Sequence, residues 1–228
     1  MTFPKSSRLP QHHPGAELLM DYAAGSLPEP VSLLVASHVS LCRNCQAEVA
    51  RLEALGGTLL ESLPDAPLDD ESLERALARL DVDEAETPGP SAVPPAACAD
   101  PRVPRPLRDY LDGDLDSLPW KSYGAVSEAK LLPEFPGIRT RLLRIKAGTA
   151  VPQHSHEGRE FTLLLAGGFS DQTGHYLRGD VAEADPGIDH RPLADAGEDC
   201  ICLAVTDAPL RLTGRFGRYL NPLFKGRL

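Results

Sequence analysis

The 228-residue chain is predicted to be a multidomain α + β protein, with a small zinc-stabilised helical bundle followed by an all-β barrel. Three observations predict this. Before residue 87, apolar residues recur at helical spacing around a cluster of histidine and cysteine. Between residues 87 and 106, seven prolines (88, 90, 94, 95, 101, 104 and 106) interrupt the chain. Beyond residue 107, short β-rich runs alternate with Gly, Pro, Asp and Asn punctuation. The boundaries are therefore set at 1–86 for the helical domain, 87–106 for a Pro-rich linker and 107–228 for the β domain.

The helical elements follow in order. Residues 16–24 form a first helix that stops at Gly25, a common helix terminator. A second helix opens near Pro30, which a first turn tolerates, and runs from Val31 to Ser40. A third begins at Cys45 and continues along Val49, Leu52 and Leu55 toward Leu63, a spacing of three that lines one face, with Gly56 and Gly57 weakening its middle. The acidic run 69–71 then opens a fourth. It carries Leu73, Leu77 and Leu80 on one side and Glu74, Arg75 and Arg79 elsewhere, and acidic residues in a first turn favour the helix dipole.

His38, Cys42 and Cys45 fall at the second helix and the turn after it. His38 and Cys42 are four apart and share a helix face, and a Cys-x2-Cys turn lets two thiolates reach one ion. With an imidazole from His12 or His13 upstream, two sulfurs and two nitrogens complete a closed tetrahedral zinc site of the structural kind. His13 is preferred because it stands at the mouth of the first helix. A helical core this small needs such a staple. The proline-rich stretch after it cannot bury a core and is expected to be semi-extended, leaving Cys98 an exposed thiol.

In the second half, residues 138–146 approach strict alternation, and 161–165, 181–184 and 200–205 are β-rich. Cys200 and Cys202 face one way on their strand and are assigned to core packing, since cysteine is often a small buried hydrophobe. Trp120 and Tyr123 are assigned to packing as well. Between the strands lies Gly148-x5-His154-x-His156-x3-Glu160-x6-Gly167. Histidines two apart on a strand share a face, Glu160 can return to that face, and His190 follows Gly187. Three imidazoles and a carboxylate suit Zn, Fe, Mn or Ni. The stretch resembles the first cupin motif at every position. The second motif is matched by Gly179, Gly187 and His190, with the usual proline moved to Pro186 and Ala194 in place of asparagine. The resemblance implies a cupin (jelly-roll) barrel around one metal.

Composition narrows the class. The 42% hydrophobic content suits a soluble protein, and no apolar run approaches the roughly 20 residues that span a membrane. The first 14 residues place no apolar segment behind Lys5 and Arg8, so no secretory signal is expected. Five cysteines, two of them in a metal motif, do not form a disulfide framework, and the cytoplasm is the expected compartment. Residues 1–86 carry a net charge of −9 and the remainder −1. An acidic helical domain repels nucleic acid and attracts a basic partner.

The order of the pieces is more specific than either motif. His13 before a helix ending Tyr22-Ala-Ala-Gly25, then His38-x3-Cys42-x2-Cys45, then a cupin, resembles the ChrR family of bacterial anti-sigma factors over nearly the whole chain, including residues 200–210. The resemblance implies that the helical domain binds an extracytoplasmic-function-type sigma factor in a 1:1 complex. It also implies that the cupin domain is required to respond to singlet oxygen or related oxidants. It assigns one zinc to His13, His38, Cys42 and Cys45 and a second to His154, His156, Glu160 and His190. No direct nucleic-acid or membrane contact is expected. The alternative is a metal-dependent cupin enzyme of the dioxygenase type with an accessory zinc-binding helical domain.

Overall fold

Four helices stand where the periodicity predicts them. The computed structural model describes residues 9–80, 98–131 and 135–214. Helix α1 spans Ala16–Ala23 and buries Leu18 and Leu19. Helix α2 spans Glu29–Val39 with Pro30 in its first turn, and it buries Leu33, Leu34, Val35 and His38. Helix α3 spans Arg43–Glu61, so it starts two residues before Cys45 and continues through Gly56 and Gly57. Each glycine costs about 1 kcal/mol relative to alanine, which 19 residues of helix absorb. Helix α4 spans Ser72–Leu80, and a short fifth helix, α5, spans Arg105–Arg108.

Beyond α5 the chain is built from antiparallel strands. These are β1 (Lys121–Tyr123), β2 (Val126–Lys130), β3 (Arg139–Ile145), β4 (His154–His156), β5 (Glu160–Ala166) and β6 (Gly168–Ser170). They continue with β7 (His175–Leu177), β8 (Val181–Ala184), β9 (Asp189–His190), β10 (Leu193–Ala194), β11 (Cys200–Thr206) and β12 (Leu210–Leu212). One six-stranded sheet runs β1-β2-β3-β11-β5-β8, and two three-stranded sheets run β10-β6-β7 and β12-β4-β9. The tight β5–β6 turn requires glycine at 167. Its φ is +63°, and a Cβ there would lie 2.5 Å from the Asp199 carbonyl oxygen.

Strand β11 explains how two cores form around one sheet. It is buried along six of its seven residues, between β3 and β5. Because side chains alternate, Ile201, Leu203 and Val205 join a cluster with Leu163, Leu34 and Leu18, against the helices. Cys200 and Cys202 face the other way and join Ile145, Leu164, Phe169 and Tyr176. Both thiols are packed as predicted for small buried hydrophobes.

Several expectations are corrected. The first cluster runs unbroken from α1 and α2 into β5 and β11, so the helical and cupin-like parts share a core. The end of the expected linker is part of that core: Cys98 is 2% exposed and Val103 1%. Cys98 is thus a buried thiol, because the chain from 98 to 108 folds back onto α2 rather than extending into solvent. The rest of that linker, 87–97, lies outside the described residues. Tyr123 is exposed, whereas Trp120 packs against the core, its Nε1–H donating to Leu115 O and the Arg144 guanidinium lying over its ring. Finally, α4 joins neither core cluster among the described residues. Leu73, Leu77 and Leu80 are 68%, 51% and 79% exposed, and Leu55 and Leu63 of the α3 stripe are exposed too.

Candidate metal centres

The first cluster assembles from two helices and the segment before them. His38 lies on the buried face of α2, Cys42 immediately precedes α3, and Cys45 lies in its first turn. His13 sits on the segment leading into α1. His38 Nε2 is 3.2 Å from Cys45 Sγ, and His13 Nδ1 is 3.4 Å from Cys42 Sγ and 3.5 Å from Cys45 Sγ. One ligand atom from each of the four lies within 4.8 Å of every other. Zinc bonds of 2.0–2.3 Å in a tetrahedron give ligand–ligand edges of roughly 3.3–3.8 Å, so this set fits a zinc-sized ion. His12 instead packs its ring on Tyr176, with ring centroids 4.3 Å apart, which leaves His13 as the upstream histidine in the cluster.

The protonation pattern favours a cation. His38 Nδ1–H donates to Gly179 O at 2.7 Å, which leaves the Nε2 lone pair facing the sulfurs. Burial, with a further contribution from Cys42, pushes the Cys45 thiol up to about 12. A divalent ion reverses this by stabilising the thiolate.

The second cluster is made by strand register. His154 and His156 are the two inward residues of β4, and β4 pairs with β9 so that His154 lies directly across from His190. Glu160 opens β5. His190 Nε2 is 3.0 Å from His154 Nε2 and 3.1 Å from His156 Nε2, and Glu160 Oε2 is 3.5 Å from His156 Nε2. His154 Nδ1–H donates to Pro152 O at 2.8 Å, and His190 Nδ1–H donates to Asp171 Oδ2 at 2.7 Å. Those tautomers aim two Nε2 lone pairs at each other across 3.0 Å. A shared cation removes the repulsion, and second-shell acceptors of this kind are typical of metal-bound histidine. Burial lowers His154 and His156 to about 4, which keeps both rings neutral and able to ligate, and it pushes Glu160 up to about 7. The ligands face a cavity of about 90 Å³ lined by apolar side chains such as Leu143, Val151, Phe169 and Ile188.

Both predicted quartets are therefore brought together by the fold. Sequence reasoning missed the groups that orient them. Asp171 follows β6 with no motif around it, and Gly179 and Pro152 act through backbone carbonyls that carry no side-chain signature.

Residues 112–209 match a family described as the ChrR cupin-like domain. An anti-sigma-E factor, ChrR from Cereibacter sphaeroides, is 42% identical over 215 residues, spanning 94% of this chain and 98% of that protein. The crystal structure of Rhodobacter sphaeroides SigE in complex with the anti-sigma ChrR contains a chain 41% identical to this one. It superposes with a TM-score of 0.73 and covers 87% of this chain and 100% of that one. The shared fold is a cupin-like arrangement of β-sheets carrying N-terminal helices, and the chain belongs to the ChrR family of anti-sigma factors.

Proposed function

We propose that this chain sequesters an extracytoplasmic-function-type sigma factor in a 1:1 complex through its helical part, residues 1–86. Release follows oxidative stress, singlet oxygen or an organic peroxide, sensed through a metal-loaded cupin domain. The observation that carries the reading is a set of leucines on α3, just after it and on α4 that join no core among the described residues: Leu55, Leu59, Leu63, Leu73, Leu77 and Leu80 are all more than half exposed. An exposed apolar stripe on an amphipathic helix is a docking face for a partner's groove. These leucines lie within the segment of net charge −9, which suits a basic partner, and a homologous chain is bound to SigE in a solved complex. Membership of an anti-sigma family favours this regulator over the dioxygenase alternative.

In the same reading, His13, His38, Cys42 and Cys45 hold a structural zinc that stabilises the helical bundle. His154, His156, Glu160 and His190 hold a second ion, also zinc, inside a jelly-roll barrel. Each ion supplies fixed positive charge that neutralises its anionic ligands, and the second keeps Glu160 ionised inside an apolar cavity. Among the described residues no helix is long and apolar enough to cross a membrane. A partner of RNA polymerase belongs in the cytoplasm, without direct contact to nucleic acid.

Two outcomes test the reading. A fragment of residues 1–86 is expected to retain sigma binding in a pull-down while melting at lower temperature than the full chain. It keeps the leucine surface but exposes the face of α2 that packs on β5 and β11. A fragment that folds with zinc and fails to bind contradicts the assignment. Metal analysis of the purified chain is expected to give two ions, removed in two steps. The thiolate site holds zinc against mild chelation, because soft ligands favour it, and the His3Glu site exchanges first. One ion per chain, or loss of both in one step, contradicts two independent centres.

A further inference from the structure

The helical metal cluster is supported from outside its own helices. His13 is exposed and lies on non-helical chain, so α1–α3 do not by themselves fix its position. Its neighbours are tied instead to the β7–β8 turn and to β8 of the cupin-like sheet. Gln11 N and His12 N both donate to Asp180 Oδ1, at 2.5 and 3.0 Å. Val181 N donates to His12 O at 3.1 Å, and Gly15 N donates to Glu183 Oε1 at 2.8 Å. The second imidazole of the cluster, His38, is oriented by the Gly179 carbonyl at 2.7 Å.

The turn that does this is itself rigid. Asp180 is 1% exposed, and its second oxygen accepts Leu177 N at 2.8 Å, closing the turn. Gly179 has φ +91°, and a Cβ there would sit 2.9 Å from Pro10 Cγ, so the segment before His13 is packed directly onto the turn. Residues 179–183 thus position two of the four ligands. Strand β8 also pairs with β5, with Ala184 across from Glu160, so the supporting strand is hydrogen-bonded to the strand that carries a ligand of the other cluster.

We propose that the β7–β8 turn and β8 form the outer support of the helical metal, with Asp180 and Glu183 as positioning residues that hold His13 in place. The retention of that metal is then a property of both parts of the chain. The inference rests on the reading that the His13/His38/Cys42/Cys45 cluster binds zinc. Loss of an outer-shell partner typically weakens metal binding about 10- to 100-fold.

The test uses the full chain loaded with cobalt in place of zinc. Only the thiolate site gives sulfur-to-cobalt charge-transfer absorption, so its metal is followed separately from that of the His3Glu site. On addition of EDTA, the thiolate band is expected to decay about 10- to 100-fold faster in Asp180→Ala than in the parent. Asp180→Asn, which keeps an acceptor oxygen, falls between the two, and Glu183→Ala shows a smaller acceleration in the same direction. The His3Glu cobalt leaves all variants at the parental rate. Should Asp180→Ala not fold, Glu183→Ala at its more accessible position decides the matter. Parental decay of the thiolate band in the folded variants overturns the support, as does simultaneous loss of both metals with a collapse of thermal stability. A parent that develops no thiolate–cobalt band overturns the zinc reading and the support with it.

Discussion

Cys42→Ser or Cys45→Ser is expected to abolish sigma binding and to unfold the helical part. The two cysteines are 2% and 4% exposed and stand in the turn and first helical turn where α2 passes into α3. Helix α2 is anchored by its buried face, whereas α3 buries only Cys45 and Val49. Leu55 and Leu59 of α3 face solvent, and α4 buries none of its residues. A structural zinc contributes on the order of 10 kcal/mol or more to folding domains of this size, several times what one core substitution removes. Serine is only slightly smaller but offers zinc a hydroxyl in place of a thiolate, so the main loss is one of coordination and not of packing. Circular dichroism of the metal-loaded variants and a pull-down with the sigma factor check this together. Parental helicity with intact binding contradicts a structural role for the ion.

The second large effect is expected in the cell. Glu160→Ala removes the only anionic ligand of the His3Glu quartet and leaves three imidazoles to balance a dication in an apolar cavity. The variant is expected to lose the cupin metal, to retain sigma binding at rest and to leave target genes off when singlet oxygen or an organic peroxide is applied. Glu160 is carried by β5 and not by the helices that bear the exposed leucines, so resting affinity has no reason to fall. The competing switch is oxidation of Cys42 and Cys45 with ejection of zinc, in which case the variant responds like the parent. A reporter driven by the sigma factor separates the two. Normal induction with the cupin metal shown to be absent eliminates the cupin as sensor.

Much of this was legible in the residues because the ligand spacings encode local geometry. His38 and Cys42 on one helical stripe, and His154 and His156 two apart on a strand, constrain their own orientation. The β-rich run 200–205 predicts the strand that became β11 and the burial of Cys200 and Cys202, but not its place between β3 and β5. Long-range packing was not legible. Nothing near Cys98 signals that a proline-rich segment folds back onto α2, because prolines restrict backbone angles without preventing burial of Cys98, Val103 and Leu107. The amphipathic pattern of α4 places Leu73, Leu77 and Leu80 on one side but does not say what that side meets, since the same stripe serves a core or a partner in trans. The support of His13 by Asp180 and Glu183 spans about 170 residues of sequence through backbone amides, which leave no pattern to read.

The central claim is that this chain holds a sigma factor inactive by binding it directly. Size-exclusion chromatography with mass measurement, on the zinc-loaded full chain mixed with the extracytoplasmic-function sigma factor of the same genome, tests it most directly. The account predicts a single 1:1 species and loss of sigma-dependent transcription when RNA polymerase is added. Separate elution of the two proteins, with both metal sites filled and transcription unaffected, contradicts it.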